Sequence, residues 1–105
     1  MRKEIVRFTN PEGLHGKRIN LVIDCATMFN STVWFEKEER RVNAESILGL
    51  LSLNILKDQE IKIIADGKDC NEAVEKMMEL IRTEFNDEEL IDEIKNAANK
   101  KRAAK

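Results

Sequence analysis

Asn10-Pro11-Glu12-Gly13-Leu14-His15-Gly16-Lys17-Arg18-Ile19 is the stretch on which the fold turns, because hydrophobic periodicity changes across it. Before it, residues 3–8 (Lys-Glu-Ile-Val-Arg-Phe) place Val6 and Phe8 on one face and Ile5 and Arg7 on the other, which predicts a strand. After it, Ile19, Val22, Ile23, Ala26 and Phe29 recur at helical spacing and predict a helix over roughly residues 16–29. Asn10, Pro11 and Gly13 are the turn residues that separate the two.

Working outward, Thr32 to Lys37 and Arg40 to Asn43 flank Glu38-Glu39 as a hairpin, although its tip lacks the Asn-Gly or Asp-Gly that makes a tight turn easy. Ser46 is placed to cap a short helix running to about Leu53, since its hydroxyl can accept from unpaired first-turn amides. Residues 60–66 predict another strand, ended by Asp66-Gly67. Ala73, Val74, Met77, Met78, Leu80 and Ile81 then mark a long helix over 71–85. The order βαββαβα predicts an α+β, two-layer sandwich with one face of a mainly antiparallel sheet buried under helices.

A chain of 105 residues suffices for one core. With 42% hydrophobic and 36% charged residues it belongs with folded chains. Eighteen Lys and Arg against twenty Asp and Glu leave a net charge of -2, which points to neither nucleic acid nor membrane. Arg7 interrupts the apolar residues near the N-terminus, so no signal-peptide core forms, and no stretch approaches transmembrane length. Cys25 and Cys70 lack metal-ligand spacing, and one histidine cannot complete a Cys/His zinc set. The even cysteine count permits a disulfide, yet nothing indicates an oxidising compartment; two free thiols in a cytoplasmic protein without cofactor or metal are expected.

His15 is the only histidine and directly precedes a helix, beside amide groups that have no intrahelical partner. Those amides, Gly16 and Lys17 among them, together with the positive end of the helix dipole, suit a phosphate-sized anion. A neutral imidazole is the nucleophilic form of such a ring.

Residues 10–15 resemble the phosphorylation-site loop of the HPr family, the histidine-containing phosphocarriers of the bacterial phosphoenolpyruvate:sugar phosphotransferase system. A second block, Ser46-Ile47-Leu48-Gly49-Leu50-Leu51-Ser52-Leu53, is similar to that family's regulatory-serine helix. The resemblance covers roughly residues 3–85 and implies an open-faced β-sandwich with sheet order 1-4-2-3. It implies that His15 is the phosphoryl acceptor, loaded by Enzyme I and unloaded by Enzyme IIA domains, in a carrier with no turnover chemistry of its own. It further implies that Ser46 is a target of an HPr kinase/phosphorylase, linked to a transcriptional regulator, and that Ile47, Leu48 and Leu51 dock partners. Ser46 is also explained as a plain helix cap, a role that serine commonly fills without regulation and that is compatible with it, and core packing is the rival explanation for the apolar residues. A short helix cannot bury Ile47, Leu48, Leu50, Leu51 and Leu53 on one side, so some are expected to be exposed.

The family usually reads His-Ala-Arg-Pro where this chain reads His15-Gly16-Lys17-Arg18. Lys17 keeps the charge but not the planar fork, Gly16 loosens the turn, and Arg18 replaces a proline while offering a guanidinium of its own. The alternative function is therefore an HPr-like regulatory binding module that does not serve sugar transport. An adaptor for nucleic acid or membrane acting through Lys100, Lys101, Arg102 and Lys105 is the weakest reading, since that segment has no aromatic residue.

Beyond an HPr-like domain over 1–85, residues 86–105 form an extension with a fourth helix at roughly 87–100. Its stripe of Leu90, Ile91, Ile94, Ala97 and Ala98 needs a partner. Strand alternation puts Ile5, Trp34 and Ile64 on the open face of the sheet, and the expectation is that the tail covers this band, from its own chain or from a second copy in a dimer.

Overall fold

The computed structural model describes residues 1–104; of the basic tail residues, Lys105 lies outside them. The elements are β1 (Arg2–Arg7), α1 (Lys17–Thr27), β2 (Ser31–Lys37), β3 (Arg40–Asn43), α2 (Ile47–Leu53), β4 (Glu60–Gly67), α3 (Cys70–Arg82) and α4 (Glu88–Ala103). The four strands form one antiparallel sheet in the order β1-β4-β2-β3. This is the open-faced α+β sandwich expected.

The alternation of each strand delivers Val6, Phe8, Val33, Phe35, Ile61 and Ile63 to one face, where they meet Ile19, Val22, Leu50, Val74, Met77 and Ile81 from the helices. The hairpin tip closes with Lys37 opposite Arg40. Glu38 (φ 52°) and Glu39 (φ 69°) both adopt the positive φ of a primed turn, so the strand twist imposes on two glutamates the conformation usually given to Asn-Gly. Helix α3 stops three residues short of its apolar pattern. Glu84 (φ 57°) enters the left-handed region, its N–H donates to the Ile81 carbonyl (2.9 Å), and the Phe85 N–H donates to Leu80 (3.0 Å), a Schellman ending without glycine. Phe85 stays buried by leaving the helix to pack 6.0 Å from Phe8.

The tail departs from expectation. Helix α4, capped by Asp87 accepting from the Leu90 N–H (3.1 Å), lies along α1 on the helical side and not over the open sheet face. Leu90, Ile94 and Ala98 are buried there. Its flanks are fixed by Lys76 to Glu93 (3.0 Å), by Arg102 to Asp24 (2.7 Å) and by Lys101 donating to the Phe29 carbonyl. The physical reason lies in α1, which buries residues on two sides: Ile19, Val22 and Ala26 toward the sheet, and Leu21 and Cys25 on another side. Cys25 sits where the charges of Lys76 and Glu93 reach it, and burial pushes its thiol up, so it is a packing group. The stripe of α4 is therefore used within its own chain, which removes the basis for a dimer through that helix.

The expected apolar band on the open face is also broken by register. Ile64 pairs with Lys3 and Trp34, whereas Ile5 pairs with Lys62 in the adjacent row. Ile64 is buried between its long neighbours, Trp34 lies 5.9 Å under the Arg41 guanidinium, and Ile5 stands exposed beside Lys62.

At the far end from the loop, Asp69 accepts from the Asn30 N–H (2.8 Å) and the Ser31 hydroxyl, joining β2 to the start of α3. Burial alone would raise its carboxyl, but these hydrogen bonds and the charge of Lys101 hold it below the usual value. A depressed carboxyl stabilises the fold above its unfolded value and loses that contribution as the pH falls through the folded one. Asp69→Asn should cost about 1 kcal/mol at neutral pH. Its denaturation midpoint should also vary less than that of the parent from about pH 4 downward, as urea titrations at a series of pH values would show.

Candidate functional site

The 10–13 turn closes with the Gly13 N–H donating to the Asn10 carbonyl (3.1 Å), while the buried Asn10 carboxamide donates to the Gly13 carbonyl (2.8 Å). The next residue anchors the loop to the segment after α2, the Leu14 N–H donating to the Ile55 carbonyl (2.9 Å) with its side chain in the core. His15 is thereby held at the surface, half-exposed, between two elements. Its Nδ1–H donates to the Glu12 carbonyl (2.8 Å), and Nε2 lies 3.3 Å from the carboxamide of Asn54, which can present oxygen or NH2 by a half-turn. Asn54 ends α2 in the left-handed region (φ 48°), and Lys37 bonds the Leu53 and Asn54 carbonyls (2.9 and 3.0 Å).

Gly16 caps α1 at φ 62°, ψ −138°, a region that residues with a Cβ avoid. Its departure from the alanine usual in the resembling family thus has a backbone cause. Among the described residues, the N–H groups of Gly16, Lys17 and Arg18 donate to nothing within the protein, and the first bonded one is Ile19, to the Gly16 carbonyl (3.2 Å). Arg18 in place of a proline adds one of these donors. Three open amides at the start of an 11-residue helix, beside the His15 ring, are an arrangement that can hold an anion.

The cations differ. Lys17 is exposed and forms no ion pair among the described residues, whereas Arg18 pairs with Glu12 (3.2 Å). Ser46 caps α2, its hydroxyl accepting from the Gly49 N–H (3.0 Å). Leu50 and Leu53 are buried; Ile47, Leu48 and Leu51 are exposed, Leu48 to 80%, and Leu56 adds a fourth exposed apolar side chain. The sequence reading missed Glu12, Asn54 and Leu56. Only Asn54 carried a signal, as an asparagine directly after a short helix, the usual place for a left-handed cap. A depression of about 580 Å³ runs along the outer face of α3, by Asn71, Glu75, Glu79 and Arg82, and includes none of the residues around His15. No helix among the described residues is long and apolar enough to cross a membrane.

The family model described as the PTS HPr component phosphorylation site matches residues 2–83. The chain belongs to the HPr family. It is 36% identical over 89 residues to the phosphocarrier protein HPr of Neisseria meningitidis, covering 85% of this chain and 100% of that protein. It is 39% identical over 72 residues to the HPr-like protein Crh of Bacillus subtilis, covering 69% of this chain and 85% of Crh. The crystal structure of HPr-C-His from Thermoanaerobacter tengcongensis superposes with a TM-score of 0.80 at 33% identity, over 83% of this chain and 98% of that one. Membership of the HPr family supports a phosphocarrier role in the phosphotransferase system, and α4 lies beyond the part that the family model matches.

Proposed function

We propose that this HPr-family chain is a cytoplasmic phosphoryl carrier that accepts phosphate on His15 from Enzyme I and passes it to Enzyme IIA domains, without turnover chemistry of its own. The observation that carries the reading is a half-exposed imidazole set beside three unpaired amides at a helix start. A lone pair of the ring forms the new N–P bond as the donor's bond to phosphorus breaks, and the dianion gains the amides of Gly16, Lys17 and Arg18. Lys17 supplies a mobile positive charge, and Arg18 a planar donor once it leaves Glu12. Ile47, Leu48 and Leu51, with Leu56, present the apolar surface on which both partners would dock. Ser46 would serve as the target of an HPr kinase/phosphorylase, where a phosphate would meet the same surface.

Incubation with phosphoenolpyruvate and Enzyme I should attach one acid-labile, base-stable phosphate, absent in His15→Ala. Lys17→Arg should raise the transfer rate several-fold, because it restores a fork-shaped donor. The regulatory module is the second reading, favoured by the 39% identity to Crh and by Gly16-Lys17-Arg18; it predicts no phosphate on His15 with any competent Enzyme I.

A further inference from the structure

Glu12 holds both of the groups that the proposed chemistry needs: its carbonyl takes the Nδ1–H of His15 at 2.8 Å, and its carboxylate takes Arg18 at 3.2 Å. We propose that the Glu12 carboxylate is a positioning residue that competes with the phosphoryl group on His15 for Arg18, and so keeps the phosphorylated chain a ready donor. The inference rests on the carrier reading above and adds to it a residue that sets how firmly the phosphate is held.

Charge and occupancy set the competition. Arg18 is drawn back along the loop by Glu12, three residues before His15, and is the more buried partner, its side chain 22% exposed against 52% for Glu12. A phosphoryl dianion on His15 introduces a second acceptor with the geometry a guanidinium prefers. Arg18 cannot satisfy both fully. The Glu12 carboxylate also repels the dianion, since like charges this near a protein surface are only partly screened. Both effects raise the free energy of the phosphorylated state relative to the free one. That serves a carrier, which must release what it accepts. Lys17, unpaired among the described residues and on a flexible stem, compensates enough to keep the product formed.

The test uses the full chain and N-phosphoimidazole as the phosphoryl donor, with no partner enzyme. The His15 ring attacks phosphorus, the N–P bond to the free imidazole breaks, and that imidazole leaves with the proton the His15 ring gives up. The equilibrium ratio of phosphorylated to free chain at fixed imidazole is read by phosphorus NMR. Glu12→Gln should raise that ratio about three- to ten-fold over the parent, and Glu12→Asp, which keeps the charge, should return most of the way. In an Arg18→Ala background, most of the effect of Glu12→Gln should vanish, because the contested group is gone. Equal ratios for the parent and Glu12→Gln, or an undiminished Glu12→Gln effect without Arg18, would overturn the competition while leaving the carrier reading intact. A parent chain that takes no phosphate on His15 from either N-phosphoimidazole or Enzyme I would overturn both.

Discussion

Removal of residues 87–105 should lower the stability of the chain by about 3 kcal/mol and leave the emission of Trp34 unchanged. Leu90 and Ile94 are buried in the main core and Ala98 is fully covered, so their loss forfeits about 2 kcal/mol for each large side chain and exposes the outer side of α1 to water. The ion pairs of α4 add little, being partly solvated. Against this gross loss stands the conformational entropy recovered by the helix residues, which brings the net effect to a few kcal/mol. For a domain of this size that is a fall in Tm of roughly 15 °C. Trp34 lies on the opposite face of the sheet, under Arg41 and beside Ile64, where α4 does not reach. Thermal melts followed by circular dichroism, with emission spectra of the folded truncated chain, check both halves. A red-shifted Trp34 would show that the tail covers the open face after all.

The placement of α4 exposes the limit of the sequence reading. Its existence was legible, since acidic residues begin the segment, basic ones end it, and the apolar residues fall on one stripe. Its partner was not. Choosing between the open sheet face and the back of α1 required knowing that Leu21 and Cys25 form a second buried side of α1, and that register separates Ile5 from Ile64. Alternation assigns a residue to a face but says nothing of its row, because the rows depend on which residues pair across strands. The βαββαβα order and the hairpin were legible from local patterns, and the sheet order 1-4-2-3 followed from the family resemblance.

The site divides in the same way. His15, Gly16, Lys17, Arg18, Ser46, Ile47, Leu48 and Leu51 were singled out because they are contiguous in two short motifs. The structure brings the first block to the end of α2 through Leu14 and Asn54, contacts that span some forty residues of chain. Asn54 acts through a tertiary contact that no local spacing announces, whereas Glu12 acts on His15 and Arg18, three and six residues further on, once the loop has turned. Gly16 was read as a source of flexibility; at φ 62° it fixes one backbone conformation that a Cβ would oppose.

Gly13→Ala should be far more damaging than Gly16→Ala, although both glycines have nearly the same positive φ. At Gly16 (φ 62°) a Cβ would meet nothing within 4 Å, so alanine incurs only backbone strain, about 1 kcal/mol. At Gly13 (φ 63°) a Cβ would lie 2.3 Å from the Ile55 carbonyl oxygen and 2.9 Å from the Leu56 Cα. Both are backbone atoms that cannot rotate away. The same Ile55 oxygen accepts the Leu14 N–H, so relieving the clash breaks the bond that seats the loop and pulls Leu14 from the core. Strain, a lost hydrogen bond and a partly exposed leucine together should cost about 4 kcal/mol. The loop would then no longer hold His15 near Asn54, and phosphate uptake should fall with stability in Gly13→Ala. In Gly16→Ala the fold should survive and any change in uptake should come from the open amides alone. Urea denaturation of both variants, paired with the Enzyme I labelling assay, separates these outcomes; similar losses for the two would mean that contact with Ile55 does not set the loop.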